Sequence, residues 1–163
     1  MSSRQRPRRS SAVWPPTGIA LAALLLLGYR LWPGVLLGAF LLNLTITGNG
    51  ATSAGIAVGN TAEALLGSWL VTRFANGVNA FDHAGSIFRF VAYAALLSTA
   101  ISATLGVTSL CLAGFAPWDH FLPIWLTWWL GDMTSSLVVA PLIMVWSANP
   151  YPRLKKQEIW EAL

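Results

Sequence analysis

The sequence is poor in charge. Only 10% of its 163 residues are Asp, Glu, Lys or Arg, where a soluble domain carries about 25%. No charged residue occurs in 31–62, 90–118 or 133–152. A chain this depleted cannot clothe a water-soluble globule, and each of these runs reaches the roughly 20 residues that span a bilayer as a helix. The single cysteine, Cys111, excludes an internal disulfide and reads as a buried small hydrophobe. Histidine is scarce too: His83 and His120 lie in polar links with no cysteine or second histidine beside them. That excludes a metal constellation, and intramembrane serine proteolysis as well, which wants a histidine inside a segment. "GNGATSAG" lacks the lysine and the preceding strand of a phosphate loop. No catalytic residue, metal or cofactor is therefore expected, and the chain does not read as an enzyme.

What is present is hydrophobic, at 55% of residues. The apolar runs are continuous and do not alternate as barrel strands do, so the expected fold is all-α, a polytopic transmembrane helical bundle of about five hydrophobic segments. The net charge of +4 does not point to nucleic acid, because the basic residues gather in "RQRPRR" and "RLKK" at the two ends, where flanking charges of membrane segments collect. A basic start before an apolar run has the look of a leader, yet no small-residue cleavage site followed by a soluble domain appears. "NLT" at Asn43 matches a glycosylation sequon but falls at a segment's end. Three parts follow: a basic tail at 1–13, a membrane domain at 14–147 and a short polar tail at 148–163.

The segments fall at about 17–29, 33–47, 53–74, 86–112 and 121–146. The first two are short, and "YRLWP" between them suggests a tight helical hairpin or a re-entrant pair. Distribution of lysine and arginine gives six on the C-terminal side and four on the N-terminal side, which favours a cytoplasmic C-terminus.

Small residues recur every fourth position in the third segment, at Ala51, Gly55, Gly59 and Gly67, with Glu63 set into the same stripe. Ser98, Ser102 and Gly106 form a matching strip in the fourth segment, and Gly34 and Gly38 one in the second. These spacings predict close helix packing. The acids are another matter. An ionised carboxylate at mid-bilayer costs about 2.5–3.5 kcal/mol on the insertion scale, so Glu63 and Asp132 each need a partner, a proton or a cavity. Arg30, Asn60 and Asn43 are the candidate partners. In "WLTWWLGD", Trp125, Trp128, Trp129 and Asp132 fall at i, i+3, i+4 and i+7, on one helix face. Such a face serves either as an interfacial anchor or as the lining of a pocket for a cationic or aromatic-binding ligand. Glu63, Asp132, Trp125, Trp128, Trp129, Arg30 and Asn60 are thus the candidates for binding a ligand or sensing a signal.

The stretches "WPPTGIALAALLLLGYRLWPGVLLGAF", "GNTAEALLGSWL", "SATLGV" and "WLTWWLGDMTSSLVVAPLI" resemble the membrane-associated sensor domains of the first type, the MASE family of bacterial signalling proteins, over about 14–146. The resemblance implies a non-catalytic sensory input domain of the bacterial inner membrane, coupled to cytoplasmic kinase or cyclic-dinucleotide effectors, as in two-component signal transduction. By motif, Trp14, Pro15, Gly18, Gly28, Tyr29, Pro33 and Gly34 fall in its first signature, Asn60, Thr61 and Glu63 in its second, and Trp125, Trp128, Trp129, Gly131, Asp132 and Pro141 in its last. The chain has fewer spans than the family's bundle and no effector, so a truncated or stand-alone member is expected. Its partners would be the lipid bilayer, other membrane helices or a separate effector, and an unknown small ligand. The alternative reading is a small-molecule permease or substrate-binding membrane subunit, which should show internal repeats and symmetric broken helices.

Overall fold

Pro15 and Pro16 open the first helix, α1 (Pro15–Leu27), at positions where a missing N–H breaks no helical bond. A computed structural model describes residues 14–148, and the two charged tails lie outside the described residues. Gly28, with φ of 92°, ends α1, and a short turn through Arg30 leads to α2 (Trp32–Thr47). Gly48, in the left-handed region, ends α2 and returns its N–H to Leu44 O. Asn49 then caps α3 (Gly50–Phe74) by accepting from Thr52 N at 3.0 Å. The fourth helix, α4 (Ala84–Leu112), is continuous but winds as a π-helix through Val91–Ser98. The last is α5 (Phe121–Ala148), with Pro141 inside it. No strand occurs among the described residues.

The fold is the expected all-α bundle. Tyr29–Thr47, Ala84–Leu112 and Trp118–Ser147 are long and apolar enough to cross a membrane. Large side chains such as Leu27, Phe88, Leu112 and Trp146 are among the most exposed, while Ser53, Ser68, Thr99, Ser102 and Ser135 are fully buried. That inverted distribution suits an apolar solvent, in which polar groups must find one another inside. The least apolar helix, α3, accordingly takes the centre and touches α1, α2 and α4.

Gly55, Gly59 and Gly67 of α3 all face α4. A Cβ on Gly55 would collide with Ser109, one on Gly59 would lie 3.0 Å from Leu105 Cβ, and one on Gly67 would lie 2.9 Å from Ser98 Oγ. Gly106 in α4 lies flat under the Trp128 ring, which would be 2.8 Å from an added Cβ. Gly34 and Gly38 differ: open space surrounds both, and they line a cleft of about 460 Å³ instead of packing on a neighbour. The expected hairpin is also corrected. α1 packs against α5 and α3, α2 lies along α3, and the cleft separates α1 from α2. The cause is Gly18, where α1 approaches α5 so closely that a Cβ would sit 2.5 Å from Ser135 O.

Two apolar clusters fill the interior at different heights. One gathers Leu21, Ala22, Val71, Phe90, Ala94, Ala140 and Met144; the other gathers Val107, Cys111 and Ala116 against Phe121, Ile124, Trp125 and Trp128. Between them lies a polar layer. The N-terminus of α1 starts at this level, since Trp14 N reaches Gly131 O, midway along α5. With 13 residues, α1 is about 20 Å long, shorter than the roughly 30 Å hydrocarbon core.

Candidate functional site: a buried acid layer

Four helices contribute to the polar layer. Asp132 of α5 is 1% exposed and Glu63 of α3 is 3% exposed. Thr17, in the first turn of α1, donates its hydroxyl to Asp132 Oδ1 at 2.7 Å. Ser102 of α4 lies within 3.1 Å of Asp132 Oδ2 and 2.8 Å of Asn60 Oδ1, so its one proton is shared between an acid and an amide. The same serine stands beside Glu63. Beneath this layer, Ser135 accepts from Gly18 N at 3.0 Å and donates to Pro15 O at 3.3 Å, pinning the start of α1 onto α5.

The two acids are served unequally. Asp132 receives two hydroxyls and faces the N-terminal turn of α1, where the free N–H groups and the helix dipole favour a negative charge. Glu63 receives nothing from the described residues: neither carboxyl oxygen has a hydrogen-bond partner among them. No cation among the described residues relieves either acid. Among the described residues the arginines are Arg30, Arg73 and Arg89, and all three are exposed. Arg30 sits on the turn between α1 and α2, so the structure does not supply it as a partner. Asn60 does join the layer, through Ser102. Asn43 is turned back on its own helix, donating to Ala39 O at 2.8 Å.

The tryptophans of "WLTWWLGD" share the Asp132 face and clamp α5 to α4. Trp125 Nε1 donates to Thr104 Oγ1 at 3.0 Å, and Trp129 Nε1 donates to Leu96 O at 3.1 Å, a carbonyl of the π segment. Their rings stack with centroids 5.5 Å apart. Indole N–H groups need acceptors in an apolar solvent, and α4 provides them. Trp128 lies on Gly106. The rings therefore roof the acid layer and do not form an open aromatic box.

Sequence reasoning missed Thr17 as a member of this site, gave Gly18 only as a motif residue, and placed Ser102 in a packing strip only. The signal available was faint: a hydroxyl directly after "WPP", at the first turn of a helix. No group of three or more His, Cys, Asp or Glu that would hold a metal occurs among the described residues.

No curated protein and no solved structure matches the chain. A family model, MASE1, matches residues 5–163. An inverted membrane bundle closed around two acids, with that match over nearly its whole length, places the chain in the MASE1 family, the membrane-associated sensory domains of signalling proteins.

Proposed function

We propose that the chain is a multi-pass sensory input module of the bacterial cell membrane, itself non-catalytic, which reads its stimulus at the Glu63–Asp132 layer and passes it on through α5. The effector would be a cytoplasmic kinase or a cyclic-dinucleotide enzyme, in a separate partner or in further domains. The observation that carries this reading is the layer itself: Thr17, Asn60, Ser102 and Asp132 tie four helices together through one set of bonds. Glu63 stands beside this set without a bond of its own, so a change in its charge acts on a layer that joins α1, α3, α4 and α5. α5 then runs unbroken from Asp132 to Ala148, so a shift at the acid is delivered to the end of the bundle. A switch of this kind requires two packings that bind the stimulus differently.

The test is a complete sensor carrying this domain, with Glu63→Gln and Asp132→Asn introduced together. Stimulus-dependent output should be lost while the protein stays in the membrane. Output that keeps its normal response to every stimulus would remove the acids from the sensing role.

A permease is the second reading, and the cleft between α1 and α2 is the observation that favours it. At about 460 Å³, lined by Ala20, Ala23, Gly34 and Gly38 and floored by Asn60, it is large enough for a small solute. Solute uptake by vesicles containing the chain alone would support that reading over a sensor.

A further inference from the structure

Beside Glu63 lies a small chamber of about 10 Å³, lined by the polar side chains of Thr17, Asn60, Glu63, Ser98 and Ser136 together with Leu21 and Ala64. That is room for the centre of one water-sized occupant and excludes an organic ligand. Most of its hydroxyl protons are committed elsewhere. Thr17 gives its proton to Asp132, and Ser98 gives its proton to Ala94 O at 2.6 Å. Ser102, just behind, is committed to Asp132 and Asn60. What these hydroxyls turn toward Glu63 is lone pairs. The lining donors with no acceptor among the described hydrogen bonds are the Ser136 hydroxyl and the Asn60 Nδ2 amide, and neither is bonded to a Glu63 oxygen. Both Glu63 oxygens are unpartnered among the described residues, and the residue is only 3% exposed.

We propose that this chamber is a site for one small monovalent cation of the size of sodium, with Glu63 as its charged ligand and Thr17, Asn60 and Ser98 supplying neutral oxygens. A water molecule would donate two hydrogen bonds and leave an ionised Glu63 uncompensated, and a proton would neutralise the acid without filling the chamber. A cation does both, and hard cations take oxygen ligands. The charge fits a monovalent ion, because the second acid, Asp132, already has Thr17, Ser102 and the α1 N-terminus. Magnesium keeps several waters and calcium takes six to eight oxygens, for which the chamber has no room. Sodium would bind the start of α1 and the middle of α4 to the centre of α3. This deepens the sensory reading by naming a ligand for the same acid, and binding is measurable apart from any signalling output.

The experiment uses the full chain in lipid nanodiscs, with thermal unfolding followed in sodium, potassium and choline chloride at equal ionic strength. At sodium about a hundred-fold above its dissociation constant, the midpoint should rise by about 5–10 °C over the potassium value. Glu63→Gln should abolish that difference. Radioactive sodium should bind saturably at about one ion per chain and be displaced by unlabelled sodium but not by potassium, as a chamber for one occupant requires. Absence of saturable sodium binding by the wild-type chain overturns the proposal, even if Glu63→Gln fails to fold. A sodium effect that survives in folded Glu63→Gln overturns it equally, because the ion then sits elsewhere. Sodium binding without any influence of the acids on a complete sensor's output would leave the cation site standing and sink the sensing role alone.

Discussion

The hydroxyl of Thr17 reaches Asp132 Oδ1 across 2.7 Å, joining the first turn of α1 to a residue 115 positions later in the chain. The bond does two things: it gives a buried acid a donor, and it fixes the height at which α1 enters the bundle.

Replacing Thr17 with Val keeps the shape and removes the donor. We expect a loss of about 1–3 kcal/mol, the cost of leaving a buried acceptor short of a partner. Thr17→Ser should recover most of it. Denaturant titration in mild detergent, read by circular dichroism, measures both.

Glu63 and Asp132 should respond in opposite directions. In sodium-free medium, Glu63→Gln removes a buried charge that no cation offsets, so the midpoint of unfolding should stay or rise. Asp132→Ala strands the hydroxyls of Thr17 and Ser102 and should lower it. Thermal unfolding of the two variants side by side decides the matter, and equal destabilisation would refute the unequal service of the acids.

The glycines divide by surroundings, not by spacing. Gly18→Ala and Gly67→Val force contacts that backbone or packed side chains must yield to, at about 1–3 kcal/mol each. Gly34→Ala and Gly38→Ala meet open space, and each should gain up to about 1 kcal/mol from helix propensity. Resistance to unfolding in detergent series gives the ranking.

Trp125→Phe and Trp129→Phe each delete one indole donor to α4 while keeping a ring. Each should cost about 0.5–1.5 kcal/mol. Loss of the stacked pair should also alter the near-ultraviolet circular dichroism of the folded chain.

Reporter fusions at the C-terminus and in the turn at Arg30 should both report the cytoplasmic side. Consecutive helices alternate in direction, which puts the α1–α2 turn, the α3–α4 link and the end of α5 on one face of the bundle. That face carries Arg30, Arg73 and Arg89.

The helices were legible because a spanning segment announces itself by length and composition alone. The boundaries at Thr47, Phe74 and Leu112 follow from breaks in the apolar runs. The face shared by Trp125, Trp128, Trp129 and Asp132 was legible for the same reason: helical spacing fixes direction. Partners are another kind of information. Gly34 and Gly38 carry the same spacing as Gly55 and Gly59, yet only the latter meet a helix. Spacing says which residues share a face and nothing about what stands opposite. For the same reason the neighbours in sequence, α1 and α2, looked like neighbours in space, while Thr17 gave no sign of belonging with Asp132.

The winding of α4 has a consequence for how its two ends are joined. A π turn takes more residues per revolution than an α turn, so Val91–Ser98 sets the angular offset between Ser102, which is held at the acids, and Phe90 and Arg89 near the other end. Rewinding that stretch into α geometry, with Ser102 held, would swing Phe90 out of the cluster it shares with Ala94 and Met144 and carry Arg89 around the axis. The helix is thus geared: a change in pitch at its middle is read as torsion at its end.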